Sequence, residues 1–216
     1  MSYELTRDRV EDYFDRTATR TWERLTSDAP VSKIRETVRK GRDEMRDLML
    51  SRLPTDLAGA RILDAGCGPG QMTAELVKRG ADVVAADISP QLIEIARQRV
   101  PEGRVDFHAG DMLSEDLGGF DHVLAMDSLI YYSRADIADA LNRLKSRTAG
   151  KVVFTVAPRT PLLMTMWYAG KLFPRSDRSP TMEPHSAKHL HPHVPGLASA
   201  GRVTSGFYIS EALEVA

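Results

Sequence analysis

The sequence predicts an α/β protein: a mostly parallel sheet covered by helices on both faces, preceded by a helical arm. Three observations carry this expectation. Short β-rich runs alternate with helical patterns from residue 57 to about 158; a glycine-rich turn (Gly66, Gly68, Gly70) sits where the first run gives way to a helix; and residues 1–56 show helical spacing only. Strand and helix in this rhythm give parallel strands joined by crossover helices, so the sheet is covered on both sides.

In the arm, Val10, Tyr13 and Phe14 form one apolar stripe, and Val31, Ile34, Val38, Met45, Leu48 and Met49 form a second. Charged residues of both signs fill the remaining faces, and Pro54 closes the zone. The pattern divides the chain into a helical arm, 1–56, expected to act as a lid, and a larger α/β unit, 57–216. Within the unit, residues 61–65, 82–87, 104–110, 120–126 and 151–157 read as strands; 71–80, 90–100 and 135–147 read as helices. Pro90 suits a first helical turn and Gly80 a helix stop. Beyond 158 the sequence predicts a helix over 160–173, an irregular stretch rich in Pro and His, and a last strand over 206–214.

Bulk properties narrow the function. With 216 residues, 42% hydrophobic and 27% charged, the chain has the material for one ordinary core. A net charge of −1 gives no electrostatic case for nucleic acid. One cysteine, Cys67, allows no intrachain disulfide, and the N-terminus lacks the apolar stretch of a signal peptide, so a cytoplasmic protein is expected. The longest apolar run, 161–170, is far short of the ~20 residues of a spanning helix.

In an open α/β sheet the ligand lies beyond the carboxyl ends of the strands, which points to the glycine turn. No Lys-Ser or Lys-Thr follows the glycines, against a Walker A loop, and Gln71 occupies the third position of a dinucleotide fingerprint. A cofactor with an amino-acid tail needs fewer convergent N–H groups than a pyrophosphate, and its ammonium calls for a carboxylate, which Asp64 can supply. The run Asp64-x-Gly66-x-Gly68-x-Gly70 resembles motif I of the class I S-adenosylmethionine methyltransferases, a Rossmann-like fold with a mostly parallel seven-stranded sheet. That resemblance implies a cofactor site of Asp64, Gly66, Cys67 and Gly68, with Asp87 on the ribose, Ile88 beside it, Asp111 and Met112 at the adenine edge, and Met126 after the fourth strand.

Further segments narrow the resemblance. Residues 13–25 (YFDRTATRTWERL), 33–45 (KIRETVRKGRDEM), 125–132 (AMDSLIYY), 153–163, 170–186 (GKLFPRSDRSPTMEPHS) and 206–214 are similar to the magnesium-protoporphyrin IX O-methyltransferases of chlorophyll and bacteriochlorophyll synthesis. The likeness implies that the acceptor is a propionate of magnesium-protoporphyrin IX, a large apolar disc with two carboxylates. Tyr13, Trp22 and Tyr132 would wall the pigment, with Phe14, Met164, Met166 and Trp167 beside them. Arg175 and Arg178 would meet propionates, His185 would contact the substrate, and Arg39 would reach the cofactor's carboxylate. Tyr131 and Asp127 would orient the reacting groups. A propionate is already ionised at neutral pH, so no strong base is required. Many members of the family carry His at the position of Tyr131 and Tyr at that of Thr26, a departure read as exchange of positioning groups. The likeness also implies handover from the porphyrin-binding subunit of magnesium chelatase and peripheral association with photosynthetic membranes.

Rival readings are a methyltransferase acting on another small acceptor such as a quinone precursor, a porphyrin carrier without catalysis, and a nicotinamide dehydrogenase. His185, His189, His191 and His193 invite a metal reading, but Pro192 and Pro195 interrupt any shared helix face, and no cysteine joins them. No protein-bound metal is expected; magnesium belongs to the substrate.

Overall fold

The computed structural model describes residues 3–15, 32–161, 163–165, 168 and 180–216. Helix α1 (Tyr3–Tyr13) and helix α2 (Lys33–Leu50) lead into β1 (Arg61–Ala65), α3 (Gln71–Lys78), β2 (Asp82–Asp87), α4 (Pro90–Arg99), β3 (Val105–Ala109), β4 (His122–Ala125), α5 (Arg134–Ser146) and β5 (Val152–Val156). A short helix α6 (Ala187–Leu190) and the hairpin β6 (Ala198–Ser205) and β7 (Tyr208–Val215) complete the chain. The sheet has seven strands in the order β3-β2-β1-β4-β5-β7-β6; β7 pairs antiparallel with both β5 and β6, and the other pairs are parallel. Strand order reverses between β1 and β4, and there a cleft opens at the carboxyl ends of the strands.

Local chemistry explains the elements. Ser32, Ser89 and Ser133 cap α2, α4 and α5, each hydroxyl accepting from a backbone N–H of the first turn (Arg35, Leu92 and Asp136). Successive strand residues face opposite layers. Leu63, Val84 and Val123 pack with Ile137, Leu141 and Leu144 of α5 on one side. Ile62, Val83 and Leu124 pack with Met45, Met49 and Leu76 on the other. α2 is therefore integral to the core, with its C-terminal half inside the layer that covers the sheet. Ile34, expected on the buried stripe, is 55% exposed; the buried residues of α2 begin at Gly41.

The seventh strand, β6, lies where an irregular stretch was expected. It is an edge strand, mostly exposed, with only Val203 buried along it, so no alternating apolar signal marks it. Of the helix expected over 160–173, residues 161, 163–165 and 168 are helical, Thr160 is not, and the others lie outside the described residues. α6 stops at Leu190, before Pro192.

Candidate cofactor and acceptor cleft

The glycine turn takes three left-handed steps: Gly66, Gly68 and Gly70 have φ of 81°, 52° and 83°. Gly66 and Cys67 donate from their backbone N–H groups to the Ala86 carbonyl at 2.8 and 3.0 Å, tying the turn to the end of β2. At Gly66 a Cβ would stand 2.4 Å from Ser128 Cβ, so only glycine lets the turn lie against the segment after β4. At Gly68 a Cβ would meet nothing within 4 Å, which leaves bare backbone facing the cleft.

Two carboxyls flank this turn. Asp64 is 1% exposed and accepts from the Thr73 hydroxyl at 2.6 Å; burial pushes it up to about 7, against that hydrogen bond. Asp87, at the end of β2, accepts from Gly68 N–H at 2.8 Å through Oδ2 and from Ser89 N–H at 2.9 Å through Oδ1. Each oxygen keeps a second lone pair for a ligand. Burial pushes Asp87 up to about 6, and its two backbone hydrogen bonds oppose the shift. Burial raises the Cys67 thiol well above its usual range, which makes it an inert small residue.

The cleft holds about 990 Å³ of empty space, part of it open to solvent, on the scale of a small-molecule site. Asp64, Gly66, Cys67, Gly68, Asp87, Ile88, Asp111, Met112, Met126, Asp127, Tyr131 and Tyr132 all line it. Four expected residues do not, Met164 among them. Arg39 is another; Arg42 and Arg46, three and seven residues on and so on the same side of α2 but nearer its C-terminal end, line the cleft in its place. Tyr13 is likewise not among the lining residues, whereas its neighbour Phe14 is, and the two rings meet edge-on at 5.3 Å. His185 is 3% exposed, its Nε2 donating to the Tyr132 carbonyl at 2.9 Å, and it borders a separate shallow cleft with Arg134, Arg159 and His189. Burial lowers its pKa, as suits a neutral ring bracing a loop. Trp22, Arg175 and Arg178, like Thr26, Met166 and Trp167, lie outside the described residues.

α1 roofs the cleft. Tyr3, Arg7, Val10 and Phe14 recur at helical spacing and all line it. Tyr3 stacks on Tyr132 with centroids 4.8 Å apart, and its hydroxyl donates to Asp111 Oδ1 at 2.8 Å. Arg7 reaches Asp111 Oδ2 at 3.4 Å. At the other end Asp15 accepts from the Ser89 hydroxyl. No motif singles out Tyr3 or Arg7, although the 4-3-4 spacing carries the signal. Tyr131 meets Phe14 edge-on at 6.3 Å, and burial chiefly, then the charge of Asp127, raises its hydroxyl so that it stays a neutral donor.

The arrangement is a half-roofed slot lined by carboxylates at a glycine turn, by aromatic rings and by three arginines, Arg7, Arg42 and Arg46. Residues 62–149 match the family described as methyltransferase domain, and residues 125–216 match magnesium-protoporphyrin IX methyltransferase C-terminus. A magnesium-protoporphyrin O-methyltransferase from Rhodobacter capsulatus is 60% identical over 213 residues, covering 96% of this chain and 95% of its own. The protein of that name from Synechocystis sp. (strain ATCC 27184 / PCC 6803 / Kazusa) is 28% identical, with 95% and 94% covered. A crystal structure of magnesium protoporphyrin IX methyltransferase from Synechocystis PCC 6803 with bound SAH superposes with a TM-score of 0.83 at 27% identity, covering 95% of this chain and 96% of that one. With its seven-stranded sheet, its glycine turn and a relative matched from end to end, this chain belongs to the magnesium-protoporphyrin O-methyltransferase family, within the class I methyltransferase fold.

Proposed function

We propose that the protein transfers a methyl group from S-adenosylmethionine to a propionate carboxylate of magnesium-protoporphyrin IX, giving the monomethyl ester in (bacterio)chlorophyll biosynthesis. The end-to-end match at 60% identity carries this reading. The residues present fit the cofactor. The Ser128 hydroxyl and Arg46 Nε are buried without a hydrogen-bond partner among the described residues, and both residues line the cleft. An unpaired buried polar group is costly, and a ligand with an ammonium, a carboxylate and ribose hydroxyls relieves the cost. Asp87 takes the ribose hydroxyls, Asp111 and Met112 border the adenine, and Arg46 takes the carboxylate assigned from sequence to Arg39. Asp64 holds the turn through Thr73.

When bound, the cofactor supplies an electrophilic methyl on a sulfonium sulfur; the acceptor's carboxylate oxygen forms the C–O bond as the C–S bond breaks, leaving a neutral ester and a neutral thioether. No proton moves, so the chain's residues align the two partners and exclude water. Tyr131, a neutral donor beside Phe14, orients the acceptor carboxylate, and Tyr132 and Phe14 flank the pigment. Residues 3–15 act as the lid, a role supported by the lining stripe on α1 and its contacts with Asp111 and Ser89. Among the described residues no helix is long and apolar enough to cross a membrane. The acceptor is poorly soluble, which supports its delivery by the chelatase's porphyrin-binding subunit at a photosynthetic membrane surface. The test is incubation of pure protein with S-adenosylmethionine and magnesium-protoporphyrin IX. A mass gain of one methyl on the pigment is expected; pigment binding without product would instead favour a carrier.

A further inference from the structure

Three side chains from distant parts of the sequence converge on Asp127. Arg42 of α2 forms an ion pair with Oδ2, and the pair is 15% and 10% exposed. Tyr208 of β7 donates its O–H to both carboxylate oxygens, at 3.2 and 3.3 Å. Thr155 of β5 accepts from the Asp127 backbone N–H at 2.7 Å and donates to Oδ1 at 3.1 Å. Asp127 has φ of 57°, and it alone among the described non-glycine residues has a positive value. A left-handed backbone at an L residue persists only where its surroundings hold it. Gly41 lets the surroundings close: a Cβ there would meet Tyr208 Cδ1 at 2.6 Å, so glycine brings α2 against β7 and sets Arg42 beside Asp127.

The pair faces the cleft next to Tyr131, whose hydroxyl feels both charges, Asp127 raising and Arg42 lowering its pKa. Methyl transfer to a carboxylate cancels a positive and a negative charge. A bare guanidinium at that place would hold the acceptor carboxylate in a strong ion pair in the ground state and lose that interaction as the negative charge disappears, so it would bind substrate at the expense of rate. We propose that Asp127 masks the charge of Arg42, keeping the cleft wall beside Tyr131 electroneutral so that the acceptor carboxylate is oriented without being paired to a cation. Tyr208 and Thr155 are the positioning residues that hold the mask in place. This rests on the acceptor being a carboxylate, as under the proposed function.

The test uses the full chain and two pigments, magnesium-protoporphyrin IX and its dimethyl ester, which lacks the negative charges. Their affinities are read by absorbance titration without S-adenosylmethionine, alongside the affinity for S-adenosylhomocysteine and, separately, kcat. In Asp127→Asn the diacid binds about tenfold more tightly, the dimethyl ester binds as in the wild type, and kcat falls. In Arg42→Met the uncovered Asp127 repels the diacid, which binds about tenfold more weakly, again with the ester unmoved; this variant carries the test if Asp127→Asn fails to fold. Equal shifts for the two pigments would overturn the masking and leave a structural role. A gain in S-adenosylhomocysteine affinity in Asp127→Asn, with the pigments unchanged, would overturn it by giving the pair to the cofactor. Wild-type protein that takes neither pigment would remove the functional reading first, a result distinct from either.

Discussion

Two alanine substitutions in the glycine turn, two residues apart, should fail in different ways. Gly66 and Gly68 both have left-handed φ, 81° and 52°, and an alanine there costs about 1–2 kcal/mol in backbone conformation alone. At Gly66 the new Cβ also meets Ser128 Cβ at 2.4 Å and lies 3.6 Å from Ser128 Cα, so the segment after β4 has to move. Overpacking of this kind adds about 1–3 kcal/mol, for a total of about 2–5 kcal/mol. In a chain of this size each kcal/mol lowers Tm by about 2–4 °C, so Gly66→Ala should lose about 4–20 °C. At Gly68 a Cβ has no neighbour within 4 Å, so Gly68→Ala should lose only the backbone share, about 2–8 °C. Under the proposed function the new methyl would point into space that the cofactor takes, and affinity for S-adenosylhomocysteine should drop at least about tenfold. Differential scanning calorimetry and isothermal titration on both variants separate the two effects. Full affinity in a folded Gly68→Ala protein would refute the cradle, and equal Tm losses would refute the contact with Ser128.

Other consequences concern the carboxyls and the roof. Because burial lifts Asp87 to about 6, S-adenosylhomocysteine should bind progressively less well as pH falls through 6, by at most about tenfold per unit. Asp87→Asn should bind more weakly at pH 8 and show no such slope in titrations from pH 5 to 8. Asp64, lifted to about 7 by burial, holds a proton in the folded state that the unfolded chain has already released. Its contribution to stability is therefore present in the ordinary carboxylate range and declines as pH rises through 7; thermal melts of Asp64→Asn without cofactor should fall less between pH 5 and 8 than those of the wild type. Tyr3→Phe and Arg7→Met release Asp111 from the roof. Stopped-flow should show S-adenosylhomocysteine leaving several-fold faster, and an unchanged off-rate would detach α1 from cofactor retention. Tyr131→Phe should lower kcat moderately and leave cofactor affinity intact; unchanged kinetics would remove Tyr131 from the acceptor side.

The parts of this molecule legible in its sequence are those where short-range chemistry decides. The central strands are runs of buried apolar residues, β2 ended by Asp87 and β1 followed by Gly66, and serine or proline marks the starts of α4 and α5. The turn at Gly66–Gly70 was readable because only glycine tolerates those φ values beside Ser128. β6 was not, since an exposed edge strand has no need of alternating apolar residues. The sequence singles out the segment around Gly41, but Arg39, Arg42 and Arg46 share one side of α2, and which of them reaches the cleft follows from where along the helix the cleft lies. Tyr208 was invisible for a related reason. Its role depends on a hairpin returning antiparallel to the edge of β5 and on α2 lying close enough, at Gly41, to bring Arg42 to the same carboxylate. Long-range convergence of that kind leaves no local pattern.

The chemistry also explains why the cleft's polar groups are largely committed to one another. Transfer from a sulfonium to a carboxylate is faster where water and bare counter-ions are scarce, because both solvate the separated charges better than the spread charge of the transition state. Asp127 is held by Arg42 and Tyr208, Asp111 by Tyr3 and Arg7, and Asp64 by Thr73. Asp111 also lines the cleft, so under the proposed function the group that latches α1 would face the cofactor. On that reading, closing the roof and completing the cofactor site are one event. A lid built this way would exclude water when the cofactor is in place and would tie release of S-adenosylhomocysteine to the opening of α1.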